Sequence, residues 1–151
     1  MLDHFLDTSA LAKHYHFEKG TDEVDKIWNN SSAQLFISTI SSLEIISAFA
    51  GKVRSATISK EEFELLRRRF YTDVANRRLF HIRINGLHYK GAEQLICRYG
   101  FNHRLRTLDA MQLSVALAIR TQGVECRFVA ADRHLIEVAS LEGFSVLNPE
   151  N

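Results

Sequence analysis

Residues 4–13, HFLDTSALAK, pass from an apolar pair through three helix-capping residues into good helix formers, with no glycine or proline between them. Phe5-Leu6 suits the end of a buried strand. Asp7-Thr8-Ser9 suits a helix N-terminus, where a side-chain oxygen accepts from otherwise unpaired backbone N–H groups. Ala10, Leu11 and Ala12 then favour helix. The stretch predicts strand, tight turn and helix, with Asp7 at the C-terminal end of the strand. In open α/β sheets that edge is where ligands bind.

The same unit recurs along the chain. Residues 21–30 place Val24, Ile27 and Trp28 on one helical face, and residues 34–38 (QLFIS) form an apolar run that suits a buried strand. Residues 39–54 follow as a helix. Ser41 and Glu44 have capping-box spacing there, and Leu43, Ile46 and Ala50 form its expected apolar stripe. A second capping box, Ser59 to Glu62, opens a helix over 60–78. Phe63, Leu66, Phe70 and Val74 are its inner stripe, and Arg67, Arg68, Arg69, Arg77 and Arg78 lie on the other faces.

Residues 79–84 alternate apolar with basic, which suits a half-buried strand. Residues 86–99 read as a helix closed by Gly100. Residues 107–120 form a helix apolar almost all round, with Gln112 and Ser114 the exceptions, so it should be buried. Asp109 lies in its first turn, where the helix dipole favours negative charge by about 0.3–1 kcal/mol. Gly123 ends that helix. Residues 126–131 suit a strand that leads to Asp132 as an N-cap, and residues 144–147 suit a last strand. Strands alternating with helices over long crossovers predict a single-domain, three-layer α/β/α sandwich with a mostly parallel sheet across residues 1–151.

Net charge is only +1, so any nucleic acid must be held by a local patch rather than a global field. Cys97 and Cys126 form no CxxC pair and read as two buried thiols in a reducing compartment. The seven histidines form no HExxH pair. No GxGxxG or GxxxxGK[ST] motif supports nucleotide binding. No stretch reaches membrane-spanning length, and Asp3 and Asp7 make the N-terminus unlike a signal peptide. The expected location is the cytoplasm, away from membranes.

Asp7, Glu44, Asp109 and Asp132 all fall at strand ends or helix starts. Each alone reads as a cap. In a parallel sheet, however, the C-terminal strand ends share one rim, so the four can converge. Carboxylate oxygens are preferred ligands of Mg²⁺ and Mn²⁺, and four of them together repel without a cation. Such a cluster suits a one- or two-metal site for phosphodiester hydrolysis.

The stretch from Phe5 to Lys13 resembles the opening motif of the PIN-domain nucleases. Ser41-Ser42-Leu43-Glu44 resembles the second motif. Residues 105–110 with Gln112-Leu113 resemble the third, and residues 128–132 with Leu135 the fourth. The resemblance spans essentially the whole chain and is closest to the VapC-type toxins. It implies a PIN-like fold and a Mg²⁺- or Mn²⁺-dependent endoribonuclease. Asp7 and Asp109 would be the principal metal ligands. Glu44 would bind directly or through water, Asp132 would help hold a second metal or position water, and Ser9 would hydrogen-bond within the site. Ala130 departs from the Thr or Ser common two residues before the fourth acid.

The resemblance also implies a homodimer and a small antitoxin, with residues 63–71 as a candidate contact. Lys13, Arg104, Arg106 and Arg133 are candidate RNA-phosphate contacts, although Arg106 and Arg133 can equally pair with the acids. Two other readings stand beside the toxin. One is an RNA-processing PIN nuclease without an antitoxin. The other is a catalytically weak RNA- or protein-binding module, favoured only by Ala130.

Overall fold

Period-two alternation along the short strands decides which helices cover which face of the sheet. In the computed structural model, which describes residues 2–151, the strands are β1 (Asp3–Leu6), β2 (Leu35–Ser38), β3 (Phe80–Ile82), β4 (Cys126–Val129) and β5 (Val146–Leu147). The helices are α1 (Thr8–Tyr15), α2 (Thr21–Asn29), α3 (Thr39–Arg54), α4 (Lys60–Ala75), α5 (Gly86–Tyr99), α6 (Thr107–Thr121) and α7 (Arg133–Leu141). All strand pairs are parallel, in the order β3-β2-β1-β4-β5.

Leu6, Leu35, Ile37 and Val129 point to one face, where they pack with Leu11 of α1, Ile27 of α2, Phe49 of α3 and Phe70 of α4. Phe5, Phe36 and Phe128 point to the other, with Leu95 of α5, Leu113 of α6 and Leu135 of α7. Successive side chains on a strand face opposite ways, so each strand supplies both cores. The result is the expected α/β/α sandwich. Strand order reverses at β1, the central strand, so its C-terminal end lies at the crevice where such sheets bind ligands.

Most local expectations hold. Ser59 and Glu62 form the capping box of α4, and Leu66 and Phe70 are its buried stripe. Gly123 follows α6 at φ +90°, a left-handed conformation that glycine adopts without strain. Three details differ. Ser38, not Ser41, is the N-cap of α3, because the helix starts directly at the end of β2; Ser41 is buried within the first turn. The inner stripe of α3 is Ser41, Ile45 and Phe49, and Leu43 is 76% exposed. Cys97 is exposed, and only Cys126 is buried.

Gly91 sets how closely α5 approaches α6. A Cβ there would collide with the Ser114 hydroxyl, which itself donates to the His88 carbonyl at 2.8 Å. Gly91→Ala is therefore expected to destabilise by about 1–3 kcal/mol despite alanine's better helix propensity. Chemical denaturation checks this, and adding Ser114→Ala should recover most of the loss.

Candidate active site

Asp7 leaves β1 and caps α1, with its Oδ2 accepting from the Ser9 backbone N–H at 3.1 Å and the Ser9 hydroxyl at 2.6 Å. The Ser9 Oγ in turn accepts from the Ala131 N–H at 2.9 Å, tying the ends of β1 and β4 together. Asp132 caps α7 through Oδ1, which accepts from the His134 and Leu135 N–H groups. Glu44 arrives on the second turn of α3, past the end of β2, and Asp109 on the first turn of α6. The cap reading of Asp7 and Asp132 is thus correct, but it engages only one oxygen of each.

All four acids, with Ser9, line a single cleft of about 850 Å³. Asp7 and Asp109 are buried at 6% and 8% exposure, while Glu44 and Asp132 are half-buried. Burial pushes the Asp7 carboxyl up to about 6 against the two Ser9 hydrogen bonds, and the Glu44 and Asp109 charges push the same way. Burial also raises Glu44, opposed by hydrogen bonds from Thr8 and Gln112. Clustering buried carboxylates costs free energy that a cation would return.

In this structure the cation among them is Arg106. Its Nε lies 3.2 Å from Asp109 Oδ2 and its Nη2 lies 3.3 Å from Asp132 Oδ2. Among the described residues, no three His, Cys, Asp or Glu side chains stand close enough together to hold an ion as they are. The donor set nonetheless suits a hard divalent cation, being all carboxylate oxygen with two members buried.

Behind the acids lies a polar network that periodicity alone did not reveal. Gln112 is 1% exposed. Its Nε2 lies within hydrogen-bond distance of Ser41 Oγ (2.9 Å), Glu44 Oε1 (3.1 Å) and Thr8 Oγ1 (3.2 Å). Its Oε1 accepts from the Ser38 hydroxyl at 2.7 Å, and Thr8 donates to Glu44 at 3.0 Å. One amide thus joins β2, α1, α3 and α6 and orients Glu44. A glutamine in an otherwise apolar helix was the available signal, because buried polar groups need partners.

The remaining candidates take different places. Lys13 lines the cleft, but its ammonium is buried between Glu18 and Glu150, at 3.2 Å from each. In that pairing its charge is already matched by two carboxylates. Arg104 and Arg133 are exposed and do not line the cleft. Ala130 is fully buried in the apolar core and also lies outside the lining.

The family model described as PIN domain matches residues 4–146. The chain belongs to the PIN-domain family. Solved structures agree in fold. A toxin–antitoxin complex from Klebsiella pneumoniae is 15% identical at TM-score 0.63, covering 97% of this chain and 98% of that one. VapC20 from Mycobacterium tuberculosis, described as a sarcin–ricin loop cleaving toxin, is 14% identical at TM-score 0.66, covering 95% and 96%. FitAcB from Neisseria gonorrhoeae is 14% identical at TM-score 0.65, covering 96% of each chain. No curated protein sequence is similar enough to match. No helix among the described residues of this PIN domain is long and apolar enough to cross a membrane.

The Ser9 hydroxyl is placed to tune this PIN domain's cleft. Ser9→Ala removes its bond to Asp7 and leaves the Ala131 N–H without its acceptor. The Asp7 carboxyl should titrate still higher, and stability should fall by about 1–2 kcal/mol. A carboxyl NMR titration of metal-free protein, with denaturant unfolding, checks both.

Proposed function

We propose that this PIN domain is a divalent-metal-dependent endoribonuclease that acts as the toxin of a type II toxin–antitoxin pair. The observation that carries the reading is the convergence of Asp7, Glu44, Asp109 and Asp132 on one cleft at the C-terminal edge of the sheet. Membership of the PIN-domain family supports the same chemistry. Two of the structures similar in fold are described as a toxin and a toxin–antitoxin complex, which supports the biological role.

In this reading Asp7 and Asp109 are the principal ligands of Mg²⁺ or Mn²⁺. Glu44 binds directly or through water, and Asp132 helps hold a second ion or positions water. A bound ion of this kind supplies a more acidic water and offsets charge on the phosphate. Ser9 and Gln112 fix the carboxylates before substrate arrives. Arg106, paired with Asp109 and Asp132, would be free for phosphate oxygens if a metal took over those acids, and Arg104 and Arg133, exposed outside the cleft, would add further contacts. Such contacts position RNA without reading its sequence.

The antitoxin would lie on α4, whose Leu66 and Phe70 are committed to the core while Leu65, Tyr71 and Arg67–Arg69 face solvent. The protein would work as a cytoplasmic homodimer.

The test is incubation of purified protein with total cellular RNA in Mn²⁺, in Mg²⁺ and in EDTA. Cutting with metal and none in EDTA is expected. Equal cutting in EDTA, or no cutting with either metal, would overturn the proposal.

A further inference from the structure

We propose that the far end of the active-site cleft, at Lys52 and Arg54, is a binding subsite for RNA backbone phosphates. The inference rests on the ribonuclease reading above and deepens it.

The cleft does not stop at the carboxylates. Its α3 wall continues from Glu44 through Ala48, Gly51, Lys52 and Ser55, and Arg54 also lines it. Those α3 positions recur in steps of three and four, so they form one stripe along the helix. The side chains between Glu44 and Lys52 on that stripe are small, which leaves a channel rather than two separate hollows. At 1.5 Å per residue, Lys52 and Arg54 stand about 12–15 Å along the helix from Glu44.

The cleft is therefore bipolar. Four carboxylates and Arg106 line one end; Lys13, Lys52 and Arg54 line the other, with Glu18. An RNA strand carries negative charge at every phosphate, and the carboxylate end repels it. Affinity must then come from cations farther along the strand. Arg106 is bound to two acids, and Lys13 is clamped between Glu18 and Glu150. Lys52 makes a 3.4 Å contact to Glu18 and a 3.1 Å contact to His16 Nδ1, both of which a phosphate can replace. Arg54 is exposed and makes no ion pair among the described residues. Both residues lie in the last turn of α3, where any cation complements the helix dipole. That effect does not require them to line the same channel as the acids.

The subsite lies too far from the acids for a dinucleotide to reach both, so it fixes a longer strand across the cleft. The test uses Asp7→Asn protein, which binds without cutting, and labelled single-stranded RNAs of increasing length titrated in KCl. Adding Lys52→Gln/Arg54→Gln is expected to weaken binding of long oligonucleotides about tenfold at low salt. It should also flatten the slope of log K against log[salt] by about 1.4, for two phosphates at about 0.7 each. Binding of a dinucleotide should change far less than that of a long strand. Arg54→Lys should keep most of the slope.

An unchanged slope and affinity would overturn the subsite alone. Loss of binding to an acidic peptide with RNA binding unchanged would assign this end to a protein segment instead. If the wild-type protein with Mn²⁺ neither cut nor bound RNA of any length, the ribonuclease reading itself would fall with the subsite.

Discussion

Asp7→Asn is expected to reduce RNA cleavage by about a thousandfold or more while leaving the fold intact. A metal ligand lost from such a centre forfeits several kcal/mol of transition-state stabilisation, and about 4 kcal/mol is a thousandfold in rate. The amide keeps the size of the carboxyl and can still accept from Ser9, so the cap survives.

The same substitution has a signature independent of activity. The folded-state carboxyl of Asp7 lies at about 6 against an ordinary 3.8. Between those values the folded protein keeps a proton that the unfolded chain has lost. Stability of the metal-free protein therefore falls as pH rises through this window, by up to about 3 kcal/mol from this residue. Asp7→Asn removes the contribution and should be the more stable protein above pH 6. Urea unfolding of both proteins in EDTA across the window measures the difference. A difference that does not change with pH would show that Asp7 is not held in this strained state.

Gln112→Ala is expected to have the largest effect on stability of any single change at the site. It strips partners from Ser38, Ser41, Thr8 and Glu44 at once, in a part of the protein that water reaches poorly. Buried groups left unpaired cost about 1–3 kcal/mol each before relaxation, so a net loss of about 2–4 kcal/mol is expected. For a chain of this size that is a fall of roughly 5–15 °C in melting temperature. Gln112→Glu should be worse for activity, since it sets a second carboxylate against Glu44. A melting temperature within about 2 °C of wild type for Gln112→Ala would contradict the network's role.

These two residues also mark what could be read from the sequence. Asp7 was legible because a strand-end acid followed by Thr-Ser and a helix-forming run has few structural outcomes. The sandwich was legible for a similar reason, since short apolar runs alternate with helices throughout. Gln112 was visible as an exception in an apolar helix, but nothing in the sequence said which groups it would meet. Its partners lie 68 to 104 residues away.

Ser41 shows the opposite failure. Ser-x-x-Glu fits a capping box, yet the chain enters α3 one turn earlier, and Ser41 becomes a buried network member. Leu43 misled because the true inner stripe of α3 begins with that serine. Lys52 and Arg54 were overlooked because basic residues at a helix C-terminus need no further explanation until the cleft wall is seen. The pairing of Lys13 with Glu150 was out of reach of any local pattern, because the two lie 137 residues apart.

The most direct test of the central claim is calorimetric titration of Mn²⁺ into RNA-free protein, wild type against Asp7→Asn and Asp109→Asn. Saturable binding by wild type is expected, with its loss, or a weakening of at least about tenfold, in both variants. Binding that both variants keep at full strength would show that the metal, if it is used at all, sits somewhere other than the cleft the four acids share.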